Sequence, residues 1–182
     1  MKPVDVFLQR YRAQLAARRV PDDAKVLDIG CFDGLFLEQI ENKISCGVGI
    51  DPDCTPSERE KISIRRGFFP QDAPLDDGEN DFDCITKLAV FEHFEKDAQE
   101  VANACAAHLK PGGKVVLTVP HALVDEILEV LMKVKLIDGM ETEQHHGLEV
   151  RDVPDYFLRA GFRLELRRAF QFGLNHLFVF VK

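Results

Sequence analysis

The chain has 182 residues, a length that fits one domain and suffices to bury a single sizeable core. Its 23 Lys and Arg against 31 Asp and Glu leave a net charge of −8, which gives no global field for holding a polyanion and weighs against DNA or RNA as partner. With 46% hydrophobic residues it is too apolar for a disordered chain, and its five cysteines (31, 46, 54, 84 and 105) form no C-x-x-C pair, which disfavours a disulfide framework or zinc ribbon and fits a reducing cytosol.

Met1 to Arg19 is interrupted by Arg and Gln and lacks the apolar stretch of a signal peptide. No uncharged run approaches the ~18 residues of a membrane span, so a cytoplasmic protein without a membrane partner is expected. Val4, Phe7, Leu8, Tyr11 and Leu15 recur at helical spacing and predict an amphipathic helix ending before Pro21. Arg10, Arg12, Arg18 and Arg19 lie on its other face, which reads as solvated rather than ligand-binding.

Lys25 to Ile29 reads as a buried strand closed by Gly30, Leu35 to Ile40 as a helix, and Cys46 to Ile50 as a second buried strand stopping at Asp51-Pro52. Pro52 and Pro56 interrupt the next stretch, so any helix there is short, and Lys61 to Arg65 is expected as the third strand. Gly67 to Asn80 is rich in Pro, Asp and Gly and is expected as loop. Phe82 to Leu88 is the fourth strand and Glu95 to Leu109 a helix with Val101, Cys105 and Leu109 four apart. Pro111-Gly112-Gly113 predicts a turn, followed by a fifth strand, Lys114 to Val119, a helix from about Ala122 to Ile137, and a short helix near Pro154 to Ala160. Phe162 to Phe170 and Asn175 to Val181 form a terminal antiparallel hairpin. Alternating strands and helices imply an α/β fold, a doubly wound and mostly parallel sheet covered on both faces.

In such sheets a ligand sits beyond the carboxyl ends of the strands. There Val26-Leu27-Asp28-Ile29-Gly30-Cys31-Phe32-Asp33-Gly34 runs from strand through a glycine-bearing loop into a helix. Gly30 permits a sharp turn, Gly34 a close approach, and the helix start offers N–H groups to an anionic moiety. Asp51 follows Asp28 by 23 residues, where a carboxylate can accept hydrogen bonds from both hydroxyls of a ribose. A dinucleotide fingerprint would require glycine at positions 32 and 35, where the chain has Phe32 and Leu35, so a nicotinamide-dependent oxidoreductase is disfavoured. Asp28 also suits a ligand that presents an ammonium.

These residues resemble the class I S-adenosylmethionine-dependent methyltransferases, in particular their small-molecule (type 11/23-like) group. Val26 to Gly34 looks like the first motif, Gly47-Val48-Gly49-Ile50-Asp51 the second, and Phe82 to Thr86 through Glu92-His93 the fourth-strand motif. Leu109-Lys110-Pro111-Gly112-Gly113-Lys114 and Ala160-Gly161-Phe162 are similar to the family's turns into strands five and six. The resemblance covers residues 24–182, with 1–23 as an added N-terminal helix. It implies a Rossmann-like seven-stranded sheet of order 3-2-1-4-5-7-6 with strand seven antiparallel.

It further implies S-adenosyl-L-methionine as cofactor. Asp28, Gly30, Cys31, Phe32 and Gly34 would line its amino-acid end, Asp51 would hold the ribose and Pro52 would border the adenine. Phe68 or Asp72 would supply a further adenine contact, and either Phe68 or Phe69 would belong to the core. Lys87 and Leu88 end the fourth strand beside the expected methyl position, where Lys87 either orients an anionic acceptor or faces solvent. Phe32 stands where the family often has glycine. His121, His145 and His146 are candidates for a general base, whereas Glu92-His93 is expected to be structural. No metal site is expected, because adjacent histidines rarely converge on one ion.

Thr86-Lys87-Leu88-Ala89 stands in place of the signature of amino-methylating nucleic-acid enzymes, and the cover between strands five and six is short. The expected activity is O-methylation of a small or medium acceptor, such as a metabolite, sugar or quinone precursor, by a monomer or homodimer. The alternative is a noncatalytic module that keeps the fold and binds the cofactor or a partner.

Overall fold

The computed structural model describes residues 3–73, 81–89, 91, 97–120 and 149–182, with side chains from residue 8. Its elements run α1 (Pro3–Ala17), β1 (Ala24–Ile29), α2 (Leu35–Ile40), β2 (Ile44–Asp51), β3 (Ser57–Glu58), β4 (Ile62–Arg66), β5 (Phe82–Leu88), α3 (Ala98–His108), β6 (Leu109–Pro120), α4 (Val153–Arg159), β7 (Arg163–Phe170) and β8 (Asn175–Val181). The expected helix over about 122–137 lies outside the described residues.

The strands form one sheet in the order β3-β4-β2-β1-β5-β6-β8-β7. β4, β2, β1, β5 and β6 run parallel to one another, and β8 is antiparallel to both β6 and β7. Seven strands thus stand in the expected order. The eighth, β3, is a correction: two exposed residues between Pro56 and the third predicted strand pair antiparallel with β4, Ser57 opposite Ile64 and Glu58 opposite Ser63. A two-residue strand is too short to leave a period in the sequence.

β6 also begins earlier than expected. The Pro111-Gly112-Gly113 turn is drawn into the ladder because Gly112 adopts φ 78°, its N–H donates to the Lys182 carbonyl at 3.1 Å, and the Lys182 N–H returns a bond to Gly113 O at 2.9 Å. The last residue of the chain is thereby sewn to this turn.

Buried strands carry apolar residues towards both faces. On one face Leu27, Ile85, Val115, Leu117, Phe178 and Phe180 pack against Val101, Ala102 and Cys105 of α3 and Val153 and Phe157 of α4. The Phe157 and Phe180 rings stack with centroids 4.4 Å apart, and each such buried ring contributes roughly 1.5–3 kcal/mol by leaving water. On the other face Val26, Cys84, Val116 and Val179 meet Leu15 and Ala16 of α1 and Phe36, Leu37 and Ile40 of α2. The Gly-Val-Gly of β2 follows from this packing. A Cβ on Gly47 would stand 2.9 Å from Leu37 Cδ2, and one on Gly49 would stand 2.6 Å from Cys31 Sγ and 2.7 Å from Ile64 Cδ1. Glycine in β2 is what lets α2 and the loop before it lie close to the sheet.

Candidate functional site

The site is built where β1, β2 and β5 end. Gly30 N–H donates to Ile50 O at 2.8 Å and Gly34 N–H to Cys31 O at 2.8 Å, which folds residues 30–34 into a tight loop over the end of β2. Three of its residues are left-handed: Gly30 at φ 76°, Phe32 at 46° and Gly34 at 75°. Phe32 therefore holds a conformation that glycine adopts freely and that a side chain disfavours by roughly 1–2 kcal/mol. Its ring is 62% exposed.

Asp51 anchors the loop. Its Oδ2 accepts the Phe32 N–H at 3.0 Å and its Oδ1 the Asp53 N–H at 2.8 Å. An ionised carboxylate has about four acceptor positions, so each oxygen retains capacity for a ligand hydroxyl. The main chain of Asp51 also receives the Gly67 N–H at 3.2 Å. That contact brings Phe68, 62% exposed, beside the same strand end. Asp72 Oδ2 accepts the Phe68 N–H at 2.8 Å and so shapes this turn. Phe69 is the core residue of the pair, buried in the face that carries α3. Pro52, next to Asp51, is half-buried.

A cavity of about 340 Å3 opens over the loop, lined by Asp28, Gly30, Cys31, Phe32, Asp33 and Leu88 together with Leu35, Phe36 and Gln39 of α2. Asp28 is 3% exposed. Thr86 Oγ1 donates to its Oδ1 at 2.6 Å. Burial pushes the Asp28 carboxyl up to about 7, the Thr86 hydroxyl opposes that rise, and the nearby Asp51 adds to it. Burial also pushes the Cys31 thiol well up, with Asp28 and Asp51 reinforcing it. Cys31 is thus neutral and packs as an apolar wall rather than acting as a nucleophile.

Gln9, Arg10, Arg12 and Ala13 of α1 complete the cavity. Arg10, Arg18 and Arg19 are exposed and Arg12 is half-buried, so the basic face of α1 is largely solvent-facing, while Arg10 and Arg12 at the same time border the cavity. A signal for them existed. The loop between β1 and α2 carries acidic and apolar side chains but no cation, so an anionic part of a ligand would need one from elsewhere.

Lys87 is a second correction. Its side chain is fully buried rather than facing solvent. Its ammonium lies 5.3 Å from the Phe91 ring centroid and 5.8 Å from that of Phe69. Those rings belong to the α3 face, opposite the side on which Thr86 meets Asp28. His121, His145 and His146, and the Glu92-His93 pair, lie outside the described residues. No described helix is long and apolar enough to cross a membrane.

Comparison with known proteins agrees with this architecture. A methyltransferase-domain family profile matches residues 4–166. The ubiquinone biosynthesis O-methyltransferase of Nitrosococcus oceani is 24% identical over 176 residues, covering 91% of this chain and 72% of that protein. The protein of the same name from Klebsiella pneumoniae is 30% identical over 98 residues, 50% of this chain and 40% of its own length. Among solved structures, an S-adenosylmethionine-dependent methyltransferase from Mesorhizobium loti superposes with a TM-score of 0.66 at 16% identity, covering 94% of this chain and 98% of that one. A chain of the Haloferax volcanii complex between the Trm112 methyltransferase activator and a methyltransferase reaches 0.72 at 18% identity, covering 95% and 89%. The chain belongs to the class I S-adenosylmethionine-dependent methyltransferase family, whose Rossmann-like fold and cofactor it shares.

Proposed function

We propose that the chain transfers the methyl group of S-adenosylmethionine to an oxygen of a small or medium acceptor. The observation that carries this reading is the charge arrangement of the cavity at the end of β1. A buried carboxyl, Asp28, faces it from the sheet and two guanidinium groups, Arg10 and Arg12, face it from α1. An amino-acid end with one ammonium and one carboxylate requires that pairing of opposite charges. The residues therefore fit the cofactor.

In this reading Asp28 holds the ammonium, and Arg12 with Arg10 the carboxylate. Gly30, Cys31, Phe32 and Gly34 form the loop beneath, and Asp51 receives the ribose hydroxyls. Pro52 and the exposed ring of Phe68 border the adenine, while Asp72 acts at one remove by holding the Phe68 main chain. Leu88 supplies apolar surface next to the reacting end. When bound, the cofactor supplies an electrophilic methyl group on a sulfonium. The protein's share is to align the acceptor, exclude water and, for a hydroxyl acceptor, take a proton. We assign that proton to one of His121, His145 and His146.

The names of the N. oceani and K. pneumoniae relatives favour a phenolic quinone precursor among the possible acceptors. The test is transfer of labelled methyl from S-adenosylmethionine to a panel of hydroxybenzoates, catechols and sugars. Incorporation into a phenolic oxygen is expected. Cofactor binding with no transfer to any acceptor of a metabolite extract would instead favour a noncatalytic binding module, a reading to which the strained and exposed Phe32 lends its one specific observation.

A further inference from the structure

The cavity has one wall that the sheet does not make. Gln9, Arg10, Arg12 and Ala13 supply it from α1, yet none of residues 8–13 is buried, and from residue 8 onward the first buried side chains are Leu15 and Ala16. The core therefore encloses side chains of the far half of the helix, whereas the half that meets the cavity only rests Tyr11 and Ala13 on it, both partly buried.

That half is held by the turn between β7 and β8. Gln171 Nε2 donates to the Leu8 carbonyl at 3.1 Å, across 163 positions of sequence. The Tyr11 and Phe170 rings meet with centroids 6.0 Å apart. The acceptor at Leu8 sets the orientation of the Gln171 amide, whose oxygen then takes the Asn175 Nδ2 donor at 2.7 Å. Asn175 stands in the ladder opposite Pro120 of β6 and Phe170 of β7. A continuous chain of bonds thus runs from the sheet through Gln171 to α1.

The turn is also costly to build. Gln171 and Phe172 both adopt left-handed conformations, φ 50° and 59°, before Gly173 at 85°. Glycine would sit at position 171 without strain, as it does at 173. A glutamine there is accounted for by what its amide reaches, since strained backbone persists where the surrounding contacts use it.

We propose that Gln171 is a positioning residue for cofactor binding. Through the Leu8 carbonyl it fixes the cavity-lining half of α1, so that the β7–β8 turn sets how tightly the cavity closes on its ligand. The proposal rests on the cavity being the cofactor site.

Gln171→Gly removes the amide and relieves the left-handed strain in one step, and Gln171→Ala removes the amide with the strain kept. A purely structural role predicts that Gln171→Gly raises or leaves Tm and leaves affinity alone. The positioning role predicts that Tm is held while amide exchange over residues 9–13 of the ligand-free protein accelerates about tenfold. It also predicts that the S-adenosylhomocysteine Kd rises about five- to tenfold in both variants, chiefly through a faster off-rate. Unchanged exchange over 9–13, or Kd values within about twofold of a wild type that binds, overturns the positioning role and leaves the cofactor site standing. A wild type that binds no S-adenosylhomocysteine refutes the site, and the proposal falls with it even where exchange over 9–13 responds.

Discussion

Thr86 Oγ1 lies 2.6 Å from Asp28 Oδ1, and this bond joins the ends of β5 and β1 beneath the cavity. Both side chains are buried. Thr86 stands opposite Asp28 in the parallel ladder, so the pairing of these two strands is what delivers the hydroxyl to the carboxyl.

A pH dependence follows, because burial raises the Asp28 carboxyl from 3.8 to about 7. Between about pH 4 and 7 the folded protein keeps a proton that the unfolded chain has released, so stability falls as pH rises through that window and is level above it. The full difference amounts to roughly 4 kcal/mol at most, at about 1.4 kcal/mol per pH unit. Asp28→Asn keeps an acceptor for Thr86 and carries no charge. Thermal melts from about pH 5 to 8 should show the variant gaining on the wild type as pH rises. Affinity of the wild type for S-adenosylhomocysteine should increase over the same range, as the carboxylate becomes available to the ammonium, and the variant should lose that increase.

Asp51→Ala removes the acceptor of two backbone N–H groups, from Phe32 and Asp53, as well as the proposed ribose contact. Calorimetry should show cofactor-product affinity lower by about ten- to a hundredfold, at 1.4 kcal/mol per tenfold. Arg12→Ala should weaken binding by about tenfold or more while leaving the Asp51 loop intact, and the difference should shrink as salt is added.

Gly49→Ala tests the packing of the loop against β2. The added Cβ would fall 2.6 Å from Cys31 Sγ and 2.9 Å from Cys31 Cβ, both parts of a short and buried side chain. Urea unfolding should show a loss of about 1–3 kcal/mol from overpacking, and affinity should fall with it because Cys31 belongs to the cavity wall.

Lys87→Ala separates stability from binding. The lysine is enclosed on the α3 face with its ammonium near Phe69 and Phe91, and truncation leaves a cavity in that core. A stability loss of about 2–4 kcal/mol is expected in urea unfolding, with S-adenosylhomocysteine affinity within about threefold of wild type.

The sheet was legible because its information is local. Short apolar runs such as Val26-Leu27 and Phe82 to Leu88 are closed by turn residues, and the Gln171 to Leu174 gap is short enough for a hairpin. Asp28, Gly30, Cys31, Phe32 and Leu88 could be brought to one cavity from sequence alone, since all lie at the ends of two strands that pair directly. What was not legible concerns partners distant in sequence. That Arg10 and Arg12, on a largely solvent-facing helix side, also border the cavity is visible only once α1 is laid across the carboxyl ends of the strands. Lys87 reads as exposed because a charge near a strand end usually is, and its enclosure depends on Phe69 arriving from the loop after β4. Choosing between Phe68 and Phe69 for the core likewise depends on how that loop returns to Asp51.

The most direct test is isothermal calorimetry of the purified chain with S-adenosylhomocysteine. Saturable binding at one site is expected, lost or strongly weakened in Asp51→Ala and Arg12→Ala and accompanied by a rise in Tm that both variants lack. No heat and no thermal shift in the wild type would contradict the assignment of the cavity between α1 and the Gly30–Gly34 loop as the cofactor site.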